Sequence, residues 1–176
     1  MRKFILAATA IAALAVPAVA SAASSNITIP AGQTRDLSWQ TIPGNVDVYG
    51  TLTNYGQTHY MGNVTVHPGG TFKADNWGVT IDGNLTLQNP SGQSGFWPPS
   101  SDPLRIPSLV KGNVTFTIDS TASYPCYAWA AFYVHGLKVG KNFNYTGYTF
   151  NNHLDADTSG VTGNTNITPV APQDGC

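Results

Sequence analysis

Apolar and polar residues alternate along most of this chain in short runs, and the runs recur. Val46 and Val48, Val64 and Val66, Leu85 and Leu87, and Val114, Phe116 and Ile118 stand two apart, with Asp47, Thr65, Thr86, Thr115 and Thr117 between them. A period of two marks a strand with one buried face, so each run predicts a strand with aliphatic side chains inward and Thr or Asp outward. Gly-Asn introduces these runs: GNVDV at Gly44, GNVTV at Gly62, GNLTL at Gly83 and GNVTF at Gly112. GKNFNY at Gly140 carries one extra residue, and GNTNI at Gly163 lacks the first apolar position. Intervals of 18, 21, 29, 28 and 23 residues separate the glycines. Such spacings suit one unit of a stacked repeat rather than a whole domain.

Further strand segments flank each motif. Val79-Thr80-Ile81 precedes a glycine, whereas Gly50-Thr51-Leu52 and Gly70-Thr71-Phe72 follow a bend. The expected fold is all-β: a single-stranded parallel β-helix, or β-solenoid, of about six coils over residues 26–168, with two irregular loop insertions. One coil buries almost nothing, but stacking at a spacing of ~4.8 Å builds a continuous core and satisfies the backbone of every interior strand. Gly and Asn tolerate positive φ, so the motif is expected at tight corners in that conformation. Stacked corners should align Asn45, Asn63, Asn84 and Asn113 in an amide ladder. Asn26, Asn63, Asn84, Asn113, Asn144 and Asn166 all begin N-x-T. A repeat that places Asn at turns and Thr on strands generates that glycosylation pattern as a by-product.

The Gly-Asn-Val-x-Val coil pattern resembles that of parallel β-helix proteins, including bactofilin-like polymer-forming proteins and the solenoid stalks of secreted adhesins. The resemblance spans residues 26–168 and implies fold more than function. Bactofilin-like proteins are expected in the cytoplasm without a signal peptide, and the adhesins are usually much longer, so the chain departs from both. Pectinolytic β-helix enzymes are similar in coil pattern too, but they need clustered Asp with Arg, Lys or His. Here Asp36, Asp47, Asp82 and Asp119 are dispersed, and Asp155 with Asp157 is the sole close pair.

Composition narrows the function classes. Charged residues make up 10% of the 176, with nine Asp, no Glu and eight Lys or Arg, which argues against a helical bundle and a disordered polyelectrolyte. Arg2 and Lys3 precede an uncharged run from Phe4 to Val16, and small residues follow Pro17. Residues 1–22 therefore predict a signal peptide cleaved after Ala20 or Ala22, leaving 23–176 as one domain with a C-terminal tail. Secretion, extracellular or to the periplasm and cell envelope, is expected, with no transmembrane segment in the mature chain. Cleavage leaves six basic against nine acidic groups, so nucleic acid is not an expected partner.

Two insertions interrupt the repeat. Residues 88–111 hold five of the twelve prolines and predict a loop that leaves the strand ladder and presents Phe96 and Trp97. The second collects Tyr124, Tyr127, Trp129, Phe132 and Tyr133. Phe96, Trp97, Tyr124, Tyr127, Trp129 and Tyr133 are candidates for stacking on sugar rings; the alternative is that they cover an open side of the core. Asp155, Asp157 and Ser159 match the opening of a calcium loop, but its last ligand position holds Asn166, so a plain solvated turn is the competing reading. No other cofactor is expected, because His59, His67, His135 and His153 lack metal-ligand spacing.

These features predict a secreted, non-enzymatic structural or surface-interaction protein. A glycan-binding module is the alternative, and a polysaccharide-degrading enzyme is the least supported, since no residue presents itself as catalytic. The partner expected is a glycan or a cell-envelope or protein surface; self-association is left open. Export also places Cys126 and Cys176 where a disulfide persists, and an even count predicts that they pair. Thiol titration of the denatured, unreduced exported protein should therefore find no free thiol, and two would exclude the bond.

Overall fold

The computed structural model describes residues 25–75, 78–91, 94–97, 106–118, 132–134, 137–147, 154–156 and 159–169. Among them the chain is all-β, and its strands arrive in triplets. The first triplet is β1 (Ile27–Ile29), β2 (Thr34–Asp36) and β3 (Thr41–Ile42). The next two are β4 (Val46–Val48), β5 (Thr51–Asn54) and β6 (His59–Tyr60), then β7 (Val64–Val66), β8 (Thr71–Asp75) and β9 (Thr80–Ile81). After these come β10 (Leu85–Gln88), β11 (Ser94–Trp97) and β12 (Leu109–Val110), followed by β13 (Val114–Thr117), β14 (Phe132–Val134) and β15 (Lys138–Val139). Last come β16 (Phe143–Gly147) and β17 (Leu154–Ala156), after which β18 (Thr165–Pro169) begins the next level of the first sheet beside β16.

Each strand pairs in parallel with the strand one triplet away. The first sheet runs β1-β4-β7-β10-β13-β16-β18, the second β2-β5-β8-β11-β14-β17 and the third β3-β6-β9-β12-β15. Equivalent repeat positions align: Val46, Val64, Leu85, Val114 and Phe143 form one row across the first sheet. All five are buried, as are Val48, Val66, Leu87, Phe116 and Tyr145 two residues on. Leu52 and Phe72 from the second sheet and Ile42, Tyr60, Ile81, Val110 and Val139 from the third join them in one core cluster. Buried Tyr60 donates its hydroxyl to Asn54 Oδ1 at 2.6 Å, and burial pushes its pKa well above the ordinary tyrosine value. Among the described residues no helix is long and apolar enough to cross a membrane.

The asparagine ladder is present and longer than expected. Backbone N–H groups of Asn45, Asn63, Asn84, Asn113, Asn142 and Asn164 donate to Oδ1 of the Asn one repeat earlier, at 2.8 to 3.2 Å, starting from Asn26. Nδ2 of Asn63, Asn84 and Asn113 donates to the same oxygens at 3.2 to 3.3 Å. The extra residue Lys141 leaves Asn142 on the ladder. The reason for the glycines, however, differs from the expectation. None of the motif glycines or asparagines has positive φ; among the described residues that conformation occurs at Gly32, Gly69, Gly78, Gly95, Trp39 and Asn89. Space is the cause instead. A Cβ on Gly83 would lie 2.5 Å from Asn63 Oδ1 and 2.7 Å from the Gly62 carbonyl oxygen, and Gly62 and Gly112 meet the same obstruction.

The expectation that residues 88–111 leave the strand ladder is corrected. β11 pairs with both β8 and β14, and β12 with β9 and β15. Prolines did not prevent this, because β11 begins after Pro90 and ends before Pro98, and β12 begins after Pro107, so no ladder N–H is lost. Phe96 is corrected with it. Its ring is fully buried and meets Phe72 edge-to-face at 5.4 Å, so it supports the core and presents no surface for stacking.

Two substitutions separate the roles at one corner. Asn84→Ala removes the acceptor for the Asn113 N–H and should cost about 1–2 kcal/mol. Gly83→Ala forces a methyl group against backbone that cannot retreat and should cost more, about 2–3 kcal/mol. Urea denaturation of both variants checks the order.

Candidate functional site

Strand alternation assigns the outer face of the third sheet. Ile42, Tyr60 and Ile81 point inward, so their neighbours Thr41, His59 and Thr80, which are paired in register, form an outward row. Beyond the strand ends the ladder continues: Met61 N–H donates to Ile42 O, Asp82 N–H to Tyr60 O and Lys111 N–H to Ile81 O, at 2.8 to 2.9 Å. Met61, Asp82 and Lys111 therefore occupy successive levels beside the first row. His59 Nε2 lies 2.9 Å from Asp82 Oδ2, and Lys111 Nζ lies 2.8 Å from Asp82 Oδ1. The Lys111 ammonium holds the Asp82 carboxyl below the usual carboxylate range; partial burial opposes the shift and His59 assists it. Asp82 is thus an ionised carboxylate with both oxygens engaged.

A turn ahead of β3 supplies the wall. Leu37 is buried and donates its N–H to Thr53 O, while Thr58 Oγ1 donates to Leu37 O at 2.9 Å. Ser38 is fixed on both sides: its N–H and hydroxyl donate to Asp36 Oδ1, and its Oγ accepts the Tyr55 N–H at 2.7 Å. On the far side, His59 N–H donates to Gln40 O. Between these anchors Trp39 adopts φ 62°, a conformation costly for a bulky side chain, and remains 68% exposed. Its indole lies against Gly56, where a Cβ would come within 2.2 Å of Cε2. Gly78, at φ 76°, lies against Ile106, where an added Cβ would come within 3.2 Å of that side chain.

Together these elements enclose an open groove of about 460 Å³, lined by Trp39, Gln40, Thr41, Gln57, Thr58, His59, Gly78, Thr80 and Lys111. Small-molecule sites typically span ~300–1,000 Å³. The groove offers an exposed aromatic plate, two carboxamides, hydroxyls and a neutralised ion pair. It can hold a polar ligand with an apolar face.

Little of this site was anticipated. Trp39, Gln40, Gln57 and Lys111 are additional residues, and His59, whose sequence spacing suggests no metal ligation, meets an acid one repeat away. His67 does the same with Asp47 at 2.9 Å, and its ring stacks on Tyr49 at 4.1 Å. Aligning the repeats on their Gly-Asn motifs would have brought His59 near Asp82, whereas no sequence signal marks Trp39. Of the expected candidates, Trp97 and Tyr133 join β11 and β14 through their backbones, and their side chains lie outside the described residues. Tyr124, Tyr127, Trp129, Cys126, Cys176 and Asp157 also lie outside them. Asp155 belongs to strand β17, paired with Tyr133, rather than to a turn, and Ser159 is exposed. Among the described residues no group of three metal-ligating side chains converges.

Acid should expose the role of Asp82. A carboxylate whose folded pKa is depressed contributes stability above its unfolded pKa, and that contribution is lost as pH falls through the folded value. Stability should therefore decline below about pH 4, and the decline should be shallower in Asp82→Asn. Denaturation midpoints measured from pH 6 to pH 2 test this. No known protein family, curated protein or solved structure matches the chain, so the chemistry of the groove rests on its own residues.

Proposed function

We propose that the three parallel sheets close into a single β-solenoid of about six coils, and that the exported chain acts as a non-enzymatic surface-interaction protein. The observation that carries this reading is the groove itself: a strained, pinned turn holds Trp39 in solvent beside a polar floor. Strain of this kind persists only where the surrounding structure holds it, and it clusters at binding and catalytic sites. Non-enzymatic action is supported by the state of Asp82, whose oxygens are occupied by Lys111 and His59 rather than facing a second carboxylate. Trp97, Tyr124, Tyr127, Trp129 and Tyr133 belong to the proposal as a second contact region, and Cys126 with Cys176 as a disulfide that fastens the tail. A structural calcium ion at Asp155, Asp157 and Ser159 is the weaker part of it.

Co-sedimentation tests the reading. The mature protein, mixed with cell-envelope material from its source cells, should pellet saturably without releasing soluble fragments from that material. Steady release of fragments would establish an enzyme, and failure to pellet at any protein concentration would remove the surface-interaction role.

A further inference from the structure

We infer that the groove over the third sheet is a binding site for an uncharged saccharide chain, with one sugar ring seated on the open face of Trp39. The inference rests on the surface-interaction reading and specifies its ligand. Four observations converge on this chemistry.

The first is the aromatic plate. Trp39 is 68% exposed, yet it is not a loose side chain: one side of its indole is occupied by Gly56, where no Cβ intervenes. An aromatic ring held against the backbone at one point and largely open to solvent suits the apolar C–H face of a pyranose, and less conformational freedom is lost on contact than for a loose side chain. The second is backbone strain. Asp36, Ser38, Tyr55 and Thr58 hold the turn from both sides while Trp39 remains at φ 62°. Nothing in the core requires this tryptophan, because it is Leu37 that fills the interior.

The third is the hydrogen-bonding inventory. Gln40 and Gln57 each present a donor and an acceptor, and Thr41 and Thr80 present hydroxyls that do both. Sugar hydroxyls likewise donate and accept, so a mixed floor serves them better than a row of one kind. The fourth is charge. Lys111 is the cation lining the groove, and Asp82 neutralises it at 2.8 Å. The pairing leaves an anionic ligand no net positive charge to bind, and a cationic one would face the ammonium. Because floor residues from β3, β6 and β9 recur at the ~4.8 Å strand spacing, a polymer whose units are about one ring long can repeat its contacts along the stacking direction.

Isothermal titration of the mature protein with cellohexaose, chitohexaose, laminarihexaose, maltohexaose and an oligogalacturonate decides the question. At least one uncharged probe should bind at a single site. Trp39→Asn keeps a residue that tolerates the left-handed backbone while deleting the ring, so it should fold with an unchanged or higher unfolding midpoint. Its affinity should fall by about tenfold or more, as expected on losing a central aromatic anchor. Gly56→Ala, which pushes the indole off its seat, should weaken binding in the same direction. Equal affinity in wild type and Trp39→Asn would place the saccharide elsewhere, overturning this inference while leaving the surface-interaction reading intact. Binding of the oligogalacturonate alone, abolished by Lys111→Ala, would overturn the uncharged class. If no probe binds while the protein still pellets with envelope material, the saccharide inference falls alone; if it does neither, both fall.

Discussion

Close approach of successive corners is the constraint on which the remaining structure depends. Parallel strands one repeat apart must lie at hydrogen-bonding distance, and the chain must turn between them without spreading the stack. At each Gly-Asn corner the amide oxygen of the previous Asn takes the N–H of the next, and it occupies the volume that a side chain on the next glycine would need. The two residues therefore work as a pair across repeats: one supplies the bond, and the other vacates the space for it. Every row of aligned aliphatic residues inherits its register from this contact, and so does the continuity of the core.

The same register creates chemistry that no single repeat contains. Asp82, His59 and Lys111 come from three different triplets and meet only because the third sheet aligns them. Their pairing neutralises the Lys111 charge, and the rest of the groove is lined mainly by Trp39 and by amide and hydroxyl groups. In the first triplet the strain at Trp39 is held by bonds from the second, through Tyr55 and Thr58. A turn that would relax in isolation is thus kept in place by its neighbours.

Irregular repeat lengths are absorbed without breaking the sheets. The long intervals around Phe96 and Tyr133 still contribute β11 and β14, because only a few residues are needed to bond the strands on either side. Burial of Phe96 against Phe72 shows why a proline-rich stretch returns to the ladder: an inward aromatic at that level has a partner already waiting. Proline content alone was a poor guide, since what matters is whether a proline falls on a bonded strand position.

Alternation at Val64 and Val66 or Leu85 and Leu87, the recurrence of Gly-Asn and the interval between glycines were enough to determine the strand class, the parallel stacking and the inward rows, because all three are local and periodic. The ladder from Asn45 to Asn113 was legible for the same reason. Its extension through Asn26, Asn142 and Asn164 was not, since a serine precedes Asn26, an extra lysine precedes Asn142 and the copy at Asn164 lacks its first apolar residue, so register recruits them. Trp39 carried no signal, because its exposure and positive φ depend on bonds to residues about twenty positions away. The tertiary structure alone decided that Phe96 is core, that His59 faces Asp82 and that the groove exists, for each depends on which side chains the stacking brings to the same level.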